Sequence, residues 1–193
     1  MKKICLISIL ITLSVALFAA PFGLKMGMTL KEIEKECIGR AEHVKDDIYL
    51  VTPKKSHPLF AKYGVYVNEK VGLYGIRAMS DFIACNDYGT ELKNAFENFK
   101  DRISKTYGEP EIYDRIDRGS YMEDDKYWMM TLRNGARELY AVWGGDSDLQ
   151  DNLSGISLEC KALDIPHYGD GLLILDYDFK NASSVEDEQD SVF

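Results

Sequence analysis

Residues 146–152 place oxygen-bearing side chains at short intervals along the chain. These side chains carry the oxygen ligands that a hard cation such as calcium prefers, and they belong to Asp146, Asp148, Asp151 and Asn152. The segment departs from the EF-hand pattern, because it has no glycine at the sixth position and no closing glutamate at the twelfth. A solvated loop between two strands accounts for the same residues, so we assign no metal ligands and keep calcium binding as the alternative.

Motifs for catalysis and cofactor binding are absent from the sequence. The three histidines, His43, His57 and His167, are not spaced as metal ligands. There is no H-E-x-x-H or G-x-S-x-G motif, no phosphate-binding P-loop and no Rossmann glycine pattern. We therefore predict no catalytic, cofactor-binding or metal-ligating residues. The alternative is a small hydrolase-like enzyme whose site is assembled from scattered polar residues.

The chain contains four cysteines, of which Cys5 falls in an apolar N-terminal run. The other three are Cys37, Cys85 and Cys160. At least one of them remains a free thiol even if the other two form a disulfide. No C-x-x-C pair indicates redox chemistry or a zinc site. We interpret the three as buried free thiols that pack as small hydrophobes, with one disulfide among them as the alternative.

Tyrosine and tryptophan recur in segments that are predicted to be strands. These side chains favour protein interfaces, because they combine a large rigid surface with a polar tip. The candidate residues of a binding surface are Tyr66, Tyr74, Tyr140 and Trp143. Ordinary β-propensity explains most of the other aromatic residues in these segments.

Two helices are predicted to support that surface. The first begins at Thr29 and runs to about Ile38, where Gly39 is a natural stop. The second covers residues 88–107, where apolar residues recur at spacings of three and four: Leu92, Ala95, Phe96, Phe99 and Ile103. We expect this stripe to be part of the core.

Short segments rich in Tyr, Val and Ile predict the strands. They are residues 47–53, 63–68, 71–83, 111–117, 127–133, 137–144, 154–163 and 171–179. Asn134-Gly135 suits a type I′ turn between two of them. Strands in blocks after a helix indicate an α+β fold, with antiparallel sheet and two main helices packed on one face. Within a single domain of residues 21–182, residues 21–86 and 87–182 are candidates for two similar lobes.

Both ends of the chain differ from this domain. Residues 1–20 have the layout of a secretory signal peptide: Lys2 and Lys3, an apolar run, then small residues. We expect an exported protein, periplasmic or secreted, with no membrane span after cleavage. Residues 183–193 are rich in Ser, Asp and Glu and are predicted to be a disordered acidic tail.

The net charge argues against two classes of partner. It is −9 for the whole chain and −11 once the two leader lysines are removed. An acidic chain repels the phosphates of nucleic acids and the headgroups of anionic lipids. We therefore expect neither nucleic acid nor a membrane surface as a partner.

The stretch "GMTLKEIEKE" carries a resemblance to a known group of proteins. Thr29 and Glu32 fit a capping box, and Met28 and Ile33 have the spacing of a hydrophobic staple. With Gly27, these residues resemble the G-M-[ST]-x-x-E-[VI] helix start of small bacterial exported proteins. That group includes the SmpA/OmlA (BamE-like) outer-membrane assembly lipoproteins and β-lactamase-inhibitor-like domains. The chain lacks the lipobox cysteine of the lipoproteins and the L-G-x-P that usually closes their helix, so the resemblance implies an architecture and no activity.

Together these patterns predict an exported α+β protein that acts by non-catalytic binding. We expect the partner to be another cell-envelope protein and the working surface to be the solvent-facing side of the sheet. Besides the hydrolase, the alternative is a carrier of a small ligand, with its pocket between helix 88–107 and the sheet. The sequence leaves the oligomeric state open.

Overall fold

The structure is a computed structural model that describes residues 20–117, 124–145, 148–164, 167 and 169–185. In this part of the chain, nine antiparallel strands form one sheet, which fits the predicted α+β class. The strands are β1 Glu42–Lys45, β2 Ile48–Val51, β3 Phe60–Asn68, β4 Gly72–Ser80, β5 Ile83–Ala84, β6 Glu111–Ile116, β7 Arg137–Gly144, β8 Leu153–Ala162 and β9 Asp170–Phe179. The α-helices are α1 Leu30–Glu36, α2 Thr90–Tyr107 and α3 Trp128–Arg133, with short 3-10 turns at Pro21–Gly23 and Asp125–Tyr127.

The strand order across the sheet is β1-β2-β3-β4-β9-β8-β7-β6, and β5 pairs with β9. Within each half of this order, strands that are consecutive in the chain lie side by side and pair in antiparallel orientation. The two halves meet at the centre, where β4 pairs with β9 and Ile76 lies opposite Tyr177. The last strand of each half therefore lies in the middle of the sheet, and β1 and β6 lie at its edges.

One face of the sheet is buried. A row of directly opposed residues crosses five strands on this face: Val65, Ile76, Tyr177, Ile156 and Trp143. All five are buried and belong to one hydrophobic core. Because successive strand residues point to opposite faces, their neighbours in sequence lie on the other side, which we call the open face.

The helix α2 lies against this core. It contacts β8 and β9, and it buries Leu92, Phe96, Phe99 and Ile103. These are four of the five residues of the predicted stripe, which is thereby confirmed as core. The helix ends at Gly108, whose positive φ of 86° suits glycine.

The start of α1 is a capping box, as predicted. The backbone N–H and the hydroxyl of Thr29 both donate to Oε2 of Glu32, each at 2.8 Å. Ile33 is fully buried. Just before the cap, the backbone of Gly27 packs on Gly72 at the start of β4, and the Gly27 N–H donates to the Leu73 carbonyl at 2.9 Å.

The prediction of a strand at residues 127–133 is wrong, because this segment forms α3. Its buried residues are Trp128, Met129, Thr131 and Leu132, a spacing that suits one side of a helix. Asn134 has a φ of −83°, which a type I′ turn excludes, so Asn134 and Gly135 end the helix instead.

The predicted leader lies outside the described residues, apart from Ala20. Residues 182–185 are helical and Val185 is buried, so the first residues of the predicted tail are ordered. Residues 186–193 lie outside the described part. No helix of the described chain is both long enough and apolar enough to cross a membrane.

Candidate functional site

Two separate pairs of tyrosines lie on the open face. Tyr66 of β3 and Tyr74 of β4 have ring centroids 5.9 Å apart. Tyr113 of β6 and Tyr140 of β7 lie opposite each other and stack, with centroids 4.6 Å apart and planes inclined by 12°. All four side chains are partly exposed. The strands β9 and β8 lie between the two pairs.

The first pair lines a groove of about 600 Å³. Its lining residues are Tyr66, Tyr74, Gly75, Ser154, Asp178, Lys180, Ala182, Ser183 and Val185. Burial raises the pKa of Tyr66 and of Tyr74, so both phenols are protonated at neutral pH. The groove thus combines two aromatic rings, two hydroxyl groups and charged side chains of both signs, Asp178 and Lys180.

An ion pair occupies the centre of the open face. Arg77 donates from Nε to Oδ1 of Asp176 at 2.7 Å, and from Nη2 to Oδ2 at 2.9 Å. These hydrogen bonds raise the pKa of Arg77 above its ordinary value. A bidentate pair holds both side chains in a fixed geometry, so the centre of the face is polar, ordered and close to neutral in charge.

A row of opposed side chains crosses the open face from β4 to the second tyrosine pair. Met79 lies opposite Ile174, and Ile174 lies opposite Glu159, which in turn lies opposite Tyr140. Met79 and Ile174 are partly exposed. The open face therefore combines aromatic and apolar side chains with charged ones, among which the Arg77–Asp176 pair is held by two hydrogen bonds.

Trp143 does not belong to this surface. It is 2% exposed, it lies on the buried face, and its Nε1–H donates to the Gly108 carbonyl at 2.8 Å. Tyr140 and Trp143 are three residues apart in one strand, and residues at an odd spacing point to opposite faces. The structure brings Tyr66 and Tyr74 together and places Tyr140 beside Tyr113, which the sequence reasoning did not select.

His57 and the three cysteines beyond residue 20 are packed against the rest of the domain, whereas His43 and His167 are exposed. His57 lies 5.0 Å from the ring of Phe99, and burial lowers its pKa. Burial raises the pKa of Cys37, Cys85 and Cys160, so all three are uncharged thiols at neutral pH. All three are free in the structure. An activated cysteine nucleophile has the opposite shift.

The acidic loop uses its described carboxylates for contacts within the protein. Asp148 binds Nζ of Lys180 at 2.9 Å, and Asp151 accepts a hydrogen bond of 3.0 Å from the hydroxyl of Tyr107. Asp146 lies outside the described residues. Within the described ranges, no three His, Cys, Asp or Glu side chains come together as a metal site.

Comparison with known proteins gives no relative for this chain. It matches no family model, no curated protein and no solved structure.

Proposed function

We propose that this chain is an exported bacterial protein, periplasmic or secreted, that acts by non-catalytic binding of another envelope protein. The partner docks on the open face of the sheet. The Tyr66–Tyr74 groove receives one of its side chains, and the Tyr113–Tyr140 pair provides a second contact.

The observation that carries this proposal is the composition of the open face. It carries two tyrosine pairs and the partly exposed side chains of Met79 and Ile174, and the Arg77–Asp176 pair is fixed at its centre. Protein interfaces are enriched in Tyr, Met and Arg, and their strongest contacts are aromatic or arginine side chains in pockets. Tyrosine pairs also supply rigid contact area, because few rotatable bonds have to be fixed on binding.

The groove indicates what kind of side chain the partner supplies. Its two tyrosine rings suit an apolar or aromatic group, and the faces of tyrosine rings also bind cations. A long side chain with an apolar stem and a cationic end can use both properties of the rings. The acidic chain as a whole favours a basic partner in the same way.

The predicted two-lobe architecture belongs to this proposal. In each half of the chain a helix precedes the main strands, and the halves meet at β4 and β9. Ile33 of α1 and Phe96 of α2 are members of the same core cluster, which supports two helices on one face. This arrangement supports a divergent duplication, and in the described part of the chain it places α1 and α2 on the face opposite the proposed binding surface.

Site-specific photo-crosslinking in the native cell envelope tests the binding site. A photoreactive residue at Ile174, on the open face, should capture one reproducible protein. The same residue at Lys105, on the exposed side of α2, serves as the control and should not capture it. Equal capture from both positions, or capture from Lys105 alone, would contradict docking on the open face.

A double variant tests the groove separately. Tyr66→Ala with Tyr74→Ala should reduce crosslinking from Ile174, because it removes both rings that line the groove. Tyr88→Ala is the matched control, since Tyr88 is an exposed tyrosine outside the strands, just before α2, and does not line the groove. Unchanged capture by a folded double variant would show that the groove is not a contact.

A further inference from the structure

The two edges of the sheet differ in how they could pair with another strand. At one edge, β1 has four residues, and its register with β2 is interrupted between His43 and Lys45. At the other edge, β6 pairs with β7 over all six of its residues without a shift. Short and irregular edge strands resist pairing with further strands, whereas a regular one offers its unpaired backbone groups. The edge open to pairing is therefore β6.

One hydrogen bond fixes which backbone groups of β6 point outward. Just beyond β6, the N–H of Asp117 donates to the carbonyl of Ala136 in the β7 direction at 2.8 Å. In an antiparallel pair, hydrogen-bonded positions alternate with non-hydrogen-bonded ones. The backbone N–H and C=O groups of the odd-numbered residues, including Tyr113, therefore point toward β7. Those of Ile112, Asp114 and Ile116 point outward, away from the sheet. In the described part of the chain, no strand pairs with this outer edge.

The charges on β6 are arranged to match a second copy of the same strand. Glu111, Tyr113 and Arg115 alternate along the open face, with the Arg115 guanidinium 4.5 Å from the centre of the Tyr113 ring. Two antiparallel copies related by a two-fold axis at Tyr113 bring Glu111 of each copy opposite Arg115 of the other. These are non-hydrogen-bonded positions, where opposed side chains are closest. Charges on an edge strand usually oppose pairing, but here their order is self-complementary.

The neighbouring registers are less favourable. A two-fold axis at Asp114 would place that carboxylate opposite its own copy, and like charges in directly opposed positions are destabilising. An axis at Ile112 would place Pro110, which has no N–H, opposite Asp114, so only the pair at the axis could form both of its hydrogen bonds. An axis at Tyr113 instead places Pro110 opposite Ile116, at the last residue of β6, and leaves the two central Ile112–Asp114 pairs complete. Among the three registers centred on the strand, the one at Tyr113 therefore combines opposite charges with two complete hydrogen-bonded pairs.

We propose that a second copy of this chain pairs with β6 in antiparallel orientation about a two-fold axis at Tyr113. The pairing continues the sheet from one protomer into the other. Outward backbone groups of Ile112 and Asp114 form the new ladder, and two Glu111–Arg115 pairs flank the axis. A two-fold axis perpendicular to the sheet puts the open faces of both protomers on the same side. This inference does not depend on the proposed binding function.

Charge-reversal variants give the test, with oligomeric state measured by sedimentation equilibrium. The wild-type protein should be a dimer. Arg115→Glu and Glu111→Arg should each weaken the dimer by about tenfold or more, because two attractive opposed pairs become repulsive. An equimolar mixture of the two variants should recover the dimer, since every opposed pair in the mixed dimer again joins opposite charges. Lys45→Glu, an equivalent change on β1, should leave the dimer intact.

A backbone variant tests the same edge without altering charge. Ile112→Pro removes an N–H that points outward, so the pairing of β6 with β7 is retained, while the new ladder loses hydrogen bonds. The variant should be a monomer with a near wild-type circular dichroism spectrum. A monomeric wild-type protein across the accessible concentration range would overturn the proposal. The proposal would also be overturned if Arg115→Glu and Glu111→Arg each remained as dimeric as wild type, or if their equimolar mixture stayed monomeric.

Discussion

The contact between Gly72 and Gly27 allows a sharp test of how the chain is held together. Gly72 has a φ of +71°, and a Cβ placed there would lie 2.3 Å from the carbonyl oxygen of Gly27 and 2.5 Å from its carbonyl carbon. No backbone tolerates such distances, so Gly72→Ala must separate the two segments. Two hydrogen bonds join them, from Gly27 N–H to the Leu73 carbonyl and from Leu73 N–H to the Met28 carbonyl, each 2.9 Å long.

The cost of Gly72→Ala has two parts. Alanine at a positive φ costs about 1–2 kcal/mol through backbone strain. Separating the segments then weakens two hydrogen bonds, each contributing about 0.5–1.5 kcal/mol. We therefore expect a loss of roughly 2–5 kcal/mol in the free energy of unfolding. Gly39→Ala is the matched control: Gly39 has a φ of +81° but nothing within 4 Å of its Cβ position, so only the strain applies.

Urea unfolding of the two variants measures the difference. The midpoint for Gly72→Ala should fall well below that for Gly39→Ala, with similar slopes for both proteins. Equal midpoints would refute the reasoning, because they would mean that backbone strain explains the whole effect and that the Gly27–Gly72 contact contributes nothing.

Three further predictions concern the helices. Phe96→Ala should lower the free energy of unfolding by about 3–5 kcal/mol, since the side chain is fully buried, and a near-neutral result would contradict its place in the core. Thr29→Ala should cost about 1 kcal/mol through the lost cap, which an unchanged unfolding midpoint would disprove. Hydrogen bonds from the backbone and the hydroxyl of Thr29 hold the pKa of Glu32 below its ordinary value, so the stabilisation from Glu32 is present at neutral pH and is lost as the pH falls through the lowered folded-state pKa. Glu32→Gln should thus reduce stability at neutral pH and become equivalent to wild type in acid; a difference independent of pH would exclude this role.

The sequence predicted those elements whose signal is local. The stripe of α2 and the capping box of α1 depend on residues three and four positions apart, and both were found as expected. The segment of α3 was misassigned because six apolar-rich residues are too few to separate a helical from a strand period. The strand β1 was missed because all four of its residues are exposed and show no alternation. Its existence depends on pairing with β2, which is not a property of its own residues.

The candidate site shows the same division between local and non-local information. Tyr66 and Tyr74 could be placed in strands, but their meeting depends on the irregular register between β3 and β4. The sequence alone could have excluded Trp143 from the predicted binding surface, because two residues three apart in one strand, such as Tyr140 and Trp143, point to opposite faces. The same rule could have identified Tyr113, because it lies two residues from both Glu111 and Arg115 and so shares their face of the strand. The approach of Gly72 to Gly27 has no local signal, because it joins segments far apart in the chain.

The two tyrosine pairs make the binding and dimer proposals separable. Tyr113 and Tyr140 lie beside the proposed two-fold axis, whereas Tyr66 and Tyr74 lie beyond β8 and β9. Removing the rings of Tyr66 and Tyr74 should therefore reduce partner capture and leave the oligomeric state unchanged. Arg115→Glu should weaken the dimer and leave the groove of each protomer intact. Ile112→Pro separates the protomers without changing a side chain of the open face. If Ile112→Pro also removes partner capture, the partner contacts both protomers across the axis, which the shared orientation of the two open faces would permit.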